Sequence, residues 1–407
     1  MALELCETFN VDVLGGKNLA VFGKFITDVP RRLGINKVLD FTVQSLCLAH
    51  RALVKSDEQL LLRSFKTYGC ALHNLQACLN SANQAISSET LCAAILLGVY
   101  ELIAGTDDTG SSTHLGGASL LIKMKGPTQF EDVFAREMLA VIRATMIFEA
   151  AESGKEYFLD APLWKPLFQT ENQEQQLFYA LISLSSEVPN ILKSVATITQ
   201  DQHASASTSI EVRNRALHLR SALHRWKQSL DPNDLPRTCK PASPNPCFSI
   251  RFTYRSNKVA GMNCTYAAMV ILLNYSLIHL LDNDSAKLRD ENDEFSMLIC
   301  QSYDYCAKFA PFGNLYYKFI LKVAYLVIKQ EEKRSWIRDI LHDMTVATRV
   351  FRNQKAGRER GQDLCMGFGY LSHLIDREPD AICEKYFRSQ IRDIQSEDKI
   401  GLIGSGE

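Results

Sequence analysis

Apolar residues recur three and four positions apart along most of this chain, the spacing that gathers them on one face of an α-helix. Leu39–Arg51, "LDFTVQSLCLAHR", follows it, as do "LLLRSFKTYGCALHNLQACLNSA" and "SETLCAAILLGVYELIAG". In the last of these Leu91, Ile95, Val99 and Leu102 share a face. Ser88 is the expected N-cap there and Gly105 the expected stop. A second helix is expected from a cap at Ser112 or Thr113 to Lys125, where Gly126 and Pro127 end it. The pattern continues through "FEDVFAREMLAVIRATMIFEAAES", "NQEQQLFYALISLSSEV" and "SIEVRNRALHLRSALHRWKQSL". It resumes over Met262–Leu281, Phe295–Ala307, Tyr316–Lys329, Arg334–Val350, Gly361–Ile375 and Ile382–Gln395.

One stretch breaks the pattern. Asp231–Pro246 holds five of the 12 prolines and reads as an exposed loop. "CFSIRFTYR" just after it alternates, as a short strand or extended segment does. The apolar helix that follows needs partners to bury against. The expected fold is therefore all-α, a single large helical domain over residues 1–407 with the proline-rich loop 231–246 on its surface.

Met262–Leu281 approaches membrane-spanning length, but Asn263, Thr265, Asn274, Ser276 and His279 interrupt it, which predicts a buried core helix. The N-terminus lacks the basic-then-apolar layout of a signal peptide. A soluble, intracellular chain without membrane contact is the expectation. The 45 basic and 46 acidic residues nearly cancel. Autonomous nucleic-acid binding draws on surplus positive charge, so strong direct DNA binding is not expected. Of the 12 cysteines none forms a C-x-x-C pair, and no short stretch gathers four. No structural zinc, other metal or cofactor is expected, and the thiols read as buried and free.

The segment "YELIAGTDDTGSSTHLGGASLLIKMKGP" collects the candidate chemistry. Gly116 and Gly117 near a helix start resemble an anion cradle, but no strand precedes them and the spacing is not that of a phosphate loop. His114 near the first helical turn is a candidate general base or a structural, hydrogen-bonded histidine. Glu101 closes an apolar helix; if buried it must be paired, with Arg136 or Arg143 on the next long helix as the expected partner. Glu101, His114 and Arg143 are thus the candidate catalytic residues, each beside a purely structural role.

The order of segments supplies more than any one of them. A helix ending in "LAH" leads to "LNSA", "SETLCAAILLGVYELI" and the "HLGGASLLIKMKGP" block. The helix carrying Arg143 comes next, then "FLDAPLW", "FTYRSNKVAGMNCTYAAMVILLNYSLIHLL" and "RSWIRDIL". This succession, over about residues 35–345, resembles the regulatory "middle homology" domain of fungal zinc-cluster transcription factors. The resemblance implies an all-helical regulatory domain in which "YELI…HLGGA…KGP" is scaffold. The family's six-cysteine zinc cluster, basic linker and coiled-coil segment have no counterpart in the chain, so its mode of DNA reading is not expected. The implied function is a nuclear, transcription-factor-like regulator of a fungal secondary-metabolite gene cluster. It would act through regulatory protein partners or a small-molecule effector. The alternative is the same fold reused in the cytoplasm as a cofactor-independent isomerase, epimerase or cyclase on a small hydrophobic metabolite.

Overall fold

The helices are set by local signals that can be read one at a time. In the computed structural model, which describes residues 25–104, 110–169, 173–200, 205–240, 247–281, 285–309 and 314–353, the chain enters through a short helix, α1 (Phe25–Asp28), and a 3₁₀ turn, Val29–Arg32. Asn36 then caps α2 (Lys37–Lys55) by accepting from the Val38 amide. That helix stops at Ser56, whose φ of 53° is left-handed. Asp57 caps α3 (Glu58–Leu79) through the Leu60 amide at 3.1 Å, so α2 and α3 form a hairpin with a two-residue turn. The short α4 (Ala82–Ala85) leads into α5 (Ser88–Ala104). The α5 cap is Ser87 and not Ser88: its Oγ accepts from the Thr90 amide at 3.1 Å. Helix α6 (Gly110–Lys125) ends at Gly126, φ 69°, followed by Pro127, as its sequence predicts. It begins before Ser112 and Thr113, so neither is its cap. Asp132 caps α7 (Val133–Ser153), and Gly154 at φ 67° closes it.

A segment of 3₁₀ turns, Phe158–Asp160 and Lys165–Phe168, connects to α8 (Gln173–Ser185), α9 (Val188–Gln200) and α10 (Ala206–Gln228). The proline-rich stretch is only partly the loop its composition predicts. Residues Arg237–Cys239 form strand β1, paired antiparallel with β2 (Arg251–Thr253) in the register Arg237–Thr253, Thr238–Phe252 and Cys239–Arg251. The buried Asp234 fastens it to the body through Arg255 at 2.8 Å. The ribbon precedes α11 (Asn257–Leu280), α12 (Ala286–Cys306), α13 (Asn314–Val327) and α14 (Glu331–Asn353). The expected stop at Gly105 and the expected helices 361–375 and 382–395 lie outside the described residues.

Two helices occupy the centre. Helix α5 is buried on nearly every side, not on the single face its leucines suggest, and packs against α2, α3, α6, α7 and α14. Helix α11 is enclosed by α8, α9, α10, α12 and α13. Helix α7 touches both groups, reaching α5, α6, α8, α9 and α13. Phe148 of α7 stacks on Phe319 of α13 with ring centroids 4.6 Å apart. One continuous apolar cluster runs through these contacts.

The polar side chains of α11 explain how so apolar a helix sits inside a protein. Asn263 Nδ2 donates to the carbonyls of Asp234 (2.8 Å) and Val259 (2.9 Å), and its Oδ1 accepts from Lys227. Asn274 Oδ1 accepts from Arg220 (2.7 Å), while its Nδ2 donates to Glu291 (2.7 Å) and Asn292 (3.1 Å). Ser276 donates to the Leu272 carbonyl. Asn263, Asn274 and Ser276 thus each find partners on a neighbouring turn or helix, the condition for burying them at low cost.

Candidate functional site

The three residues singled out by sequence fall into two separate places. His114 lies on α6, one turn inside the helix and so not at a cap. Its Nε2 meets the hydroxyl of Tyr68 on α3 at 2.9 Å. The Tyr68 ring stacks on Tyr100 of α5, centroids 4.4 Å apart, and the Tyr100 hydroxyl meets Ser64 Oγ at 3.1 Å. Burial lowers the imidazole pKa, against which the Glu101 carboxylate acts. Burial likewise pushes the Tyr100 phenol up. Imidazole, two phenols and a hydroxyl therefore form a polar seam between α3, α5 and α6. At neutral pH the imidazole stays neutral and hydrogen-bonded, which ties helices together.

Glu101 is buried at 4% exposure, as the paired reading required, but makes an ion pair with neither Arg136 nor Arg143. The reason is direction. Glu101 faces the His114 seam, whereas Arg143, also on a helix packed against α5, turns toward α8 and the 3₁₀ segment. The expectation of a Glu101–arginine bridge is corrected accordingly.

Arg143 builds the second place. It is 3% exposed, and its guanidinium carbon lies 3.8 Å above the ring centroid of Phe168. Nη2 donates to Ser183 Oγ on α8 at 3.3 Å. Nε and Nη1 are buried and donate to no described group. The phenol of Tyr157, 2% exposed, lies beside the guanidinium, and its hydroxyl, which makes no short hydrogen bond, interacts with it. Burial depresses the arginine pKa, while Tyr157, Asp160 and Tyr179 act in the opposite sense. Asp160 is itself engaged, by Ser186 Oγ at 3.4 Å and Arg215 at 3.5 Å. Sequence reasoning found Arg143 but missed Tyr157, Phe168 and Ser183. Two of these lie in or beside "FLDAPLW", and only the fold brings them to α7. Among the described residues no three His, Cys, Asp or Glu side chains form a metal-holding group.

A family model described as "Fungal specific transcription factor domain" matches residues 32–356 of the 407. The chain belongs to the fungal-specific transcription factor domain family. The all-helical architecture is that of the family's regulatory domain. The "YELI" and "HLGGA" segments here are the end of α5 and part of α6. The chain is also similar to a protein named "Uncharacterized protein AN5342" from Emericella nidulans, 30% identical over 137 residues. That match spans 34% of this chain and 29% of the relative. No solved structure matches.

Proposed function

We propose that the chain regulates transcription in the nucleus, acting through a protein partner or a small-molecule effector, with genes of a fungal secondary-metabolite cluster as its targets. The carrying observation is the family match over residues 32–356, which covers most of the fold. The site chemistry agrees with a sensing role. His114 is engaged with Tyr68 within a seam that joins three helices, and the unsatisfied donors of Arg143 suit binding better than proton transfer, because a guanidinium keeps its proton.

The test is deletion of the gene, with transcripts and metabolites of the neighbouring pathway measured in the same cultures. Collapsed pathway transcripts, with a fluorescently tagged chain concentrated in nuclei, are expected. Unchanged transcripts with one accumulated intermediate would replace this reading with that of a biosynthetic enzyme.

A further inference from the structure

We propose that Arg143, with Tyr157 and Ser183, is the recognition site for a small organic carboxylate with a flat apolar body. The inference deepens the regulatory reading, on which it rests for the ligand's role as effector, by naming that effector's chemical class.

The starting point is an imbalance of donors and acceptors. A guanidinium presents five N–H donors in a rigid plane and cannot shed its charge by deprotonation. Here it is 3% exposed, one donor makes a long bond to Ser183, Nε and Nη1 make no short hydrogen bond, and the Tyr157 phenol beside it is neutral. No carboxylate of the described residues lies within ion-pair distance of it. Elsewhere in the same fold buried and half-buried arginines have carboxylate partners. Arg32 has Glu89 and Asp132, Arg220 has Glu291, and Arg251 has Asp304. Arg143 stands apart. A position needed only to fill space would be more stable with an apolar side chain.

The surroundings indicate what fits. Phe168 covers one face of the guanidinium, which leaves its in-plane donors for an acceptor approaching edge-on. A carboxylate matches that edge with two parallel hydrogen bonds. The Tyr157 hydroxyl beside the guanidinium is placed to turn toward one of its oxygens. One cation with neutral donors suits a monoanion; a phosphate dianion would call for more positive charge than this. The aromatic ring of Phe168, and those of Phe158 and Trp164 on the same segment, suit a flat apolar body. The cover over the site is the 3₁₀ segment. It is tied to α9 by two long bonds, Tyr157 N to Asn190 Oδ1 at 3.3 Å and Asn190 Nδ2 to the Tyr157 carbonyl at 3.5 Å.

The experiment uses the purified full chain, with calorimetric titration and melting curves. The probes are benzoate and cinnamate, with benzamide, inorganic phosphate and chloride as controls at matched ionic strength. Saturable binding of the aromatic carboxylates and a raised Tm are expected, with no comparable response to the controls. Arg143→Met is expected to bind benzoate at least about tenfold more weakly. Without ligand it should melt about 2–4 °C higher than the parent, because an unmatched buried charge is gone. Tyr157→Phe should weaken binding with Tm unchanged. The site is refuted if the carboxylates bind no better than benzamide, if Arg143→Met binds as tightly as the parent, or if Arg143→Met melts lower while still folded. Should Arg143→Met not fold, the arginine is structural and the proposal fails on that result; Tyr157→Phe tests the same site in a folded background. Absence of binding alongside a transcript response removes the site and leaves the regulatory reading. Binding with no transcript change in an Arg143→Met strain removes the effector role and leaves the site.

Discussion

Removing Arg32 tests how the front edge of the fold is held. Its guanidinium joins three elements: Nη1 meets Glu89 in the first turn of α5 at 2.8 Å, and Nη2 meets both oxygens of Asp132, the α7 cap, at 2.8 and 2.9 Å. The guanidinium carbon also lies 4.2 Å over the Phe134 ring. Exposed ion pairs are worth about 0–1 kcal/mol, and breaking a fully buried one costs about 3–5 kcal/mol. At 25% side-chain exposure Arg32 falls between these limits. Its removal also leaves two carboxylates, though each sits at a helix N-terminus that favours it by about 0.3–1 kcal/mol. Arg32→Met is therefore expected to destabilise by about 2–3 kcal/mol. The assay is reversible urea unfolding of the parent, Arg32→Met, Asp132→Asn and the double variant. Asparagine preserves the cap on α7, so the cycle isolates the ion pair, with a coupling of about 1–2 kcal/mol expected. A loss below about 0.5 kcal/mol for Arg32→Met, or additive single effects, would refute the clamp.

Four further outcomes are checkable by melting or unfolding curves. Ser87→Ala should cost about 1 kcal/mol by stripping the cap of α5, whereas Ser88→Ala should cost little. Leu273→Ala, at a fully buried site in the middle of α11, should cost about 2–5 kcal/mol. His114 titrates below its ordinary 6.5 when folded, so the unfolded chain takes up protons first. Stability should fall as pH drops through that range, and less steeply in His114→Gln. Burial holds the thiols of Cys92 and Cys300 protonated well above their ordinary 9.0. Stability should decline as pH rises past 9, and replacing Cys300 by alanine should flatten that decline at some cost in packing.

The elements that sequence reasoning located are those whose signals are local. Gly126 and Pro127 end α6 because one accepts a positive φ and the other cannot continue a helix. The alternation around Phe252 gives β2. Helix α9 was not located; its Pro189 sits in the first turn, where proline is well tolerated. The first half of α12, "AKLRDENDEF", looks like solvent-exposed loop; Glu291 and Asn292 make it helix-compatible by pairing with Arg220 and Asn274 across the fold. The candidate site was half readable for the same reason. Arg143 was legible only as an expected partner of Glu101; Ser183 is 40 positions away and Phe168 sits in a turn. No periodicity in the chain reports which of them the arginine will face.

The placement of α11 sets a schedule for the ribosome. Among the described residues it is the one helix long and apolar enough to cross a membrane, and 83% of that window is covered in the folded chain. Part of the cover, α12 and α13, is encoded after it, ending at Val327. At about 5–20 residues per second, the 47 positions from Leu280 to Val327 take about 2–9 s to emerge. Throughout that interval the nascent chain displays a greasy 24-residue rod to chaperones and targeting factors. Cellular yield should therefore track translation speed over codons 281–327 and chaperone supply, even where the finished protein is equally stable.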